Sequence, residues 1–249
     1  MDAAAATPTH LDRRTLGVLA AIAVLTAIAW ADLAWMAADP ATMVAPASWS
    51  AGYAMAMFAM WAVMMAAMMV PSAGPTILLF AALRRHGGKH AAGDTALFVA
   101  GYVLAWTAFS AVATAAQWAL VSTSLLDGAM AADAPQLAGA LFLVAGIYQF
   151  SALKETCLAH CRDPAHFLVE RRRGGFWGPL RMGLEHGIHC VGCCAPLMAL
   201  LFAFGVMNLL WVVALSAFVV AEKFLPRGRA FSRISGGALA GAGIAFLLL

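Results

Sequence analysis

Residues 52–83 read GYAMAMFAMWAVMMAAMMVPSAGPTILLFAAL, without one Asp, Glu, Lys or Arg. Crossing the hydrocarbon core of a bilayer as a helix takes about 20 mostly apolar residues, so this stretch is long enough to span. Pro71, Gly74 and Pro75 fall inside it. A proline removes a helical hydrogen bond, so the run is expected to kink or break there, and the freed carbonyls then need protein or water partners.

The remainder of the chain repeats the pattern. Further apolar runs cover about 15–36, 95–123, 135–153, 189–206, 209–224 and 234–249. The 249 residues are 63% hydrophobic and 11% charged with mean hydropathy +0.85, whereas a soluble domain carries roughly 25% charge. The expectation is an all-α, polytopic transmembrane helix bundle of about seven spans forming a single integral domain over 1–249. Residues 1–38 could be read as a signal peptide, but the apolar stretch is long and contains Asp32 and two tryptophans, which favours a retained helix.

Lys and Arg near span ends stay in the cytoplasm, and here they occupy alternate loops. Arg13 and Arg14 precede the first run, and Arg84, Arg85 and Lys89 follow the second. Lys154, Arg162, Arg171, Arg172, Arg173 and Arg181 follow the fourth, while Lys223, Arg227, Arg229 and Arg233 follow the sixth. The loops around Asp39, around Asp127 and Asp133, and around Met207 and Asn208 have none. This pattern places the N-terminus, with a tail over 1–14, and a Cys/His-bearing loop over 154–188 on the cytoplasmic side of a bacterial inner membrane.

A net charge of +3 spread over short clusters excludes a nucleic-acid partner, and the composition excludes a disordered chain or a secreted disulfide scaffold. No internal repeat, P-loop, dinucleotide-binding glycine pattern or G-x-S-x-G elbow is present, so the usual markers of transport and of nucleotide enzymology are missing and a non-enzymatic role is favoured. Gly237 and Gly241 form a small-xxx-small pair suited to helix packing in lipid.

All five cysteines lie between 157 and 194, in Cys157-Leu-Ala-His160-Cys161 and in His186-Gly-Ile-His189-Cys190-Val-Gly-Cys193-Cys194. At about 100° per residue, His186, Cys190, Cys193 and Cys194 share one helical face, with His189 at its edge; Cys157, His160 and Cys161 share another. Thiolate with imidazole selects Cu(I), Zn(II) or iron–sulfur centres over hard cations. Cysteine also packs as a small apolar residue, but polar groups clustered in a membrane usually have partners and a function. Cys190, Cys193, Cys194, Cys157, Cys161, His186 and His189 are the candidate ligands. His10, His86, His90 and His166 read as tail or loop residues.

Seven of the 14 methionines fall between 55 and 69, with Met60, Met64 and Met68 forming a Met-xxx-Met-xxx-Met ladder. Its steps rise ~6 Å, and its thioethers are neutral, soft ligands for Cu(I), although methionine also serves as a gap filler in helix packing. Cu(I) is therefore the expected ion, with Zn(II) as the alternative. The expected partners are the ion, the lipid bilayer and a copper-accepting or copper-donating protein.

Two other readings arise from the same residues. Cys190-Val-Gly-Cys193 is a C-x-x-C motif, as in thiol–disulfide redox proteins, but the charge asymmetry places it toward the reducing cytosol. A structural membrane subunit with a zinc-stabilised inner loop is the third possibility. Lys154 and Lys223 are expected to snorkel to headgroups, and Glu185 and Glu222 to orient His186 or His189. Asp32 is expected at the outer rim.

The Met-rich run, Tyr148-Gln149, Leu153-Lys154, Cys157, Cys161-Arg162 and Pro164 are followed by Gly183-Leu184, His186-Gly187, Cys190-Val-Gly-Cys193-Cys194 and Leu197-Met198. Gly205-Val-Met-Asn208 and Glu222-Lys223 come next. Together they resemble a bacterial family of predicted metal-binding integral membrane proteins, some described as copper chaperones, over about residues 50–228. The resemblance implies metal binding through the cysteines. Family members often carry an aromatic residue after the double cysteine; here Ala195-Pro196 stands there. The ladder is also similar to the Met-xxx-Met signature of the Ctr-type copper importers, small three-span subunits that lack such a cysteine cluster.

Overall fold

The computed structural model describes residues 13–38, 49–85, 91–128, 130–225 and 228–249. Most of the N-terminal tail, His10, Asp39, His86, Lys89, His90 and Arg227 lie outside the described residues. Helices α1 (Arg13–Ala38), α2 (Ala51–Ser72), α3 (Gly74–Arg85) and α4 (Ala91–Ser122) are followed by α5 (Pro135–Tyr148), α6 (Ala152–Arg162) and α7 (Pro164–Glu170). Then come α8 (Gly178–Ala199), the short α9 (Leu201–Phe204), α10 (Leu209–Phe224) and α11 (Gly228–Leu247). Among the described residues extended pairing is confined to one isolated bridge, Leu126 to Ala132.

Five of these helices are long and apolar enough to cross a membrane: α1 from Thr15, α2, α4, α8 continued through α9, and α11. The seven-run expectation departs from this in three places. The run beginning at Pro135 turns by 68° between α5 and α6, so it is a bent pair. Ser151 starts the new direction, its Oγ accepting from Lys154 N at 3.1 Å and capping α6. At 16 residues, α10 is ~24 Å long against a core of ~30 Å, because Asn208 caps its start and Leu225 leaves the helical region at its end. The run expected from His189 begins already at Gly178, so residues 154–188 are mostly helical.

The expected break in the Met-rich run falls at Ala73, between α2 and α3. The carbonyl of Met69 accepts from Ala73 N at 3.2 Å, Ser72 Oγ at 2.8 Å and Tyr102 Oη at 2.9 Å. Side chains of the protein thus gather on the backbone at the break.

The outer surface carries large apolar side chains, among them Ile28, Trp35, Val112, Leu210 and Ile234, while Gln117, Gln149, Lys154, His186, Glu222 and Lys223 are buried. Close helix contacts hold this arrangement together. Helix α8 packs on α4 and α6, and α11 packs on α5. A Cβ on Gly183 would collide with the Phe98 carbonyl, and one on Gly101 with the Leu180 carbonyl. Only glycine lets α4 and α8 approach so closely, and that approach brings Tyr102 beside α8. A Cβ on Gly237 or Gly241, expected to form a packing face, would meet nothing within 4 Å beyond its own helix. The α5–α11 contact uses Gly236 and Gly243 against Gly146 and Gly139, because the helix presents a face rotated from the one the spacing suggested.

Candidate metal centre

Two segments build the site: the last turn of α6 and the middle of α8. The sulfur atoms of Cys161, Cys190 and Cys193 all lie within 4.8 Å of one another, with Cys190 and Cys193 buried and Cys161 half-buried. Cys193 and Cys194 Sγ are 3.1 Å apart, and Cys193 Sγ donates to the Cys190 carbonyl at 3.1 Å. Three soft donors from two helices, with no carboxylate among them, suit a thiophilic ion. Cys157 sits apart from the trio, packed on Gly192, where an added Cβ would stand 2.7 Å from its Sγ.

His186 lies one helical turn before Cys190 and is 1% exposed. Its ring is surrounded by aromatics, with centroids 5.2 Å from Phe167, 5.6 Å from Tyr102 and 6.1 Å from Phe98. Its Nδ1 is buried without a hydrogen-bond partner. Buried polar atoms are seldom left unpaired, so this nitrogen is a natural place for a metal bond. His189 is not among the residues whose ligand atoms lie within 4.8 Å of one another; its ring meets that of His160, with centroids 4.2 Å apart. Met60, Met64 and Met68 are all buried along α2, as are Met57, Met65 and Met69. The far end of that row is also polar: Gln117 Nε2 donates to Met130 Sδ at 2.9 Å and Met57 Sδ at 3.6 Å.

The charged residues behave differently from the sequence expectation. Lys223 does not snorkel: its Nζ donates to Cys190 Sγ at 3.1 Å and to Ser72 Oγ at 2.8 Å. Tyr102 Oη lies 3.1 Å from the same sulfur. Lys154 is also buried, paired through Nζ with Glu222 Oε2 at 2.7 Å. Glu222 Oε1 accepts from Gln149 Nε2 at 2.9 Å and Ser232 Oγ at 3.0 Å. Glu222 therefore orients no histidine. Glu185 pairs through its carboxylate with Arg173, and only its main-chain oxygen meets His189 Nδ1, at 2.7 Å. Buried opposite charges draw each other inward because hydrocarbon offers an isolated charge nothing. The signal was present in Lys154, Glu222 and Lys223, ionisable residues at the ends of apolar runs. Nothing in the sequence singled out Tyr102 or Ser72.

Residues 58–246 match the family model PpoB2, described as a copper chaperone. The chain belongs to this copper chaperone family. No curated protein and no solved structure matches it. The family match covers the Met-rich helix from Phe58 onward, both cysteine segments and Lys223, so every group described around the thiols belongs to the copper chaperone region.

Lys223 offers a direct test of the site's electrostatics. Metal-free thiols can shed their charge by protonation, whereas metal-bound thiolates cannot, so a fixed ammonium stabilises the loaded state more than the empty one. Lys223→Met is expected to weaken the hold of the thiols on a soft cation by about 2 kcal/mol or more, roughly 30-fold, the usual loss when a buried hydrogen-bonded charge loses its partner. Competition against a chromophoric Cu(I) chelator measures it, and tighter binding in the variant would show that the ammonium competes with the metal.

Proposed function

We propose that this protein is a multi-pass protein of the bacterial inner membrane that binds Cu(I) through Cys161, Cys190 and Cys193, with Cys194 and His186 completing the centre, and exchanges it with a copper-donating or copper-accepting protein. The observation that carries this reading is the trio of thiols within 4.8 Å. Membership in a copper chaperone family agrees with it. The soft, neutral thioethers of Met60, Met64 and Met68 on α2, whose C-terminal end reaches the site through Ser72 and Met69, favour Cu(I) over Zn(II). The apolar exterior around a polar interior supports residence in a bilayer. The basic residues Arg162, Arg171, Arg172, Arg173, Arg181, Arg229 and Arg233 support a cytoplasmic placement of the thiol end and of the N-terminus.

The experiment is metal analysis of the detergent-purified full chain, kept reduced and offered Cu(I) or Zn(II), with X-ray absorption at the metal edge. Stoichiometric Cu(I) in a sulfur-dominated shell is the expected result. Preferential retention of Zn(II) would overturn the choice of ion, and retention of neither metal would overturn the reading.

A further inference from the structure

We propose that His160 and His189 form a second, outer cation site that receives Cu(I) before it reaches the thiols; this rests on the copper reading above. The two residues come from different helices, α6 and α8, and each immediately precedes a thiol of the trio, Cys161 and Cys190. Both are half-buried, and their rings lie 4.2 Å apart at 32°.

The hydrogen bonds fix which nitrogen is available. His160 Nδ1 lies 2.8 Å from the Thr156 carbonyl oxygen and His189 Nδ1 2.7 Å from the Glu185 carbonyl oxygen. A carbonyl only accepts, so each Nδ1 carries the hydrogen, and the lone pair resides on Nε2. Metal-binding histidines are commonly oriented in this way, with one nitrogen anchored by an acceptor and the other left for the ion. Two such rings side by side offer a pair of neutral imidazole donors to one soft or borderline cation.

The pair also has an inward neighbour. Fully buried Phe167 presents its ring to His160 at 6.3 Å, to His189 at 6.2 Å and to His186 at 5.2 Å. The three imidazoles thus surround one phenyl ring, and the innermost holds the unpartnered Nδ1. Imidazole is a borderline, neutral donor and thiolate a soft, anionic one, so a soft cation gains binding strength when it passes from the histidines to the thiols. The ion remains Cu(I) throughout.

The test uses the reduced full chain in detergent, with Cu(I) supplied as its bicinchoninate complex and loading followed by the complex's absorbance. The double variant His160→Gln, His189→Gln is expected to load about tenfold more slowly or worse, yet reach the same final copper content. Each single variant should show part of the slowing. His166→Gln, an exposed residue on α7, serves as the control and should load at the unaltered rate. An unchanged rate in the double variant, with full copper at the thiols, overturns the outer site and leaves the buried centre standing. A reduced final content makes the histidines part of the buried centre and likewise overturns the outer site. Absence of copper from the unaltered chain overturns the reading beneath both.

Discussion

The combined substitution Cys161→Ser, Cys190→Ser, Cys193→Ser is expected to abolish stoichiometric Cu(I) retention by the purified protein. A serine hydroxyl keeps the shape and much of the hydrogen bonding of a thiol, but it is a hard donor that stays protonated near neutral pH, so it offers Cu(I) almost nothing. The three sulfurs lie within 4.8 Å of one another, which lets a single ion use all three. Cys161→Ser alone should weaken binding without abolishing it, since the two thiols of α8 remain. Cys157→Ser should retain full copper, because Cys157 packs on Gly192 outside the trio. Metal analysis of the four proteins, with melting temperatures beside it, checks this. Full copper in the triple variant would move the site elsewhere in the chain.

Glu222→Ala is expected to destabilise the protein by about 3–5 kcal/mol, the loss observed when one partner of a buried ion pair is removed. Lys154 and Glu222 are each 1% exposed, and Glu222 also accepts from Gln149 and Ser232. Alanine would strand the Lys154 ammonium and leave those two donors without their acceptor. The penalty arises from the stranded charge, so Lys154→Met with Glu222→Leu should recover most of it. Thermal melts of the three proteins in the same detergent read the difference, and coincident melting curves would show that the pair holds nothing together. The pair joins α6 to α10, the helices that carry Cys161 and Lys223, so Glu222→Ala should also lower copper retention.

Hydropathy carried most of the fold into the sequence. Runs of apolar residues without charge are local features: α1, α4 and the pair α2–α3 follow them to within four residues, and α11 begins six residues before its run. The break near Pro71 was equally legible, since the ring that removes a hydrogen bond is in the residue itself. The bend between α5 and α6 was not, because Gln149, Phe150 and Ser151 carry no proline or glycine. What fixes the bend is tertiary: Tyr148 Oη donates to the Gly192 carbonyl, and Gln149 reaches Glu222. The packing glycines were misjudged for a related reason. A small-xxx-small spacing identifies a smooth face but not which of several such faces meets a neighbour, and α11 uses Gly236 and Gly243.

The sequence by itself determined the class of molecule, an apolar helical chain with soft ligands gathered in two short segments, because hydrophobicity and ligand chemistry belong to residues and their immediate spacing. Only the tertiary structure decided that Cys161 meets Cys190 and Cys193 while Cys157 does not, that Lys223 turns inward to a thiol, and that His160 faces His189. Each of these depends on where helices distant in sequence cross, and a shift of a few ångströms there separates a shared ligand set from a row of buried side chains.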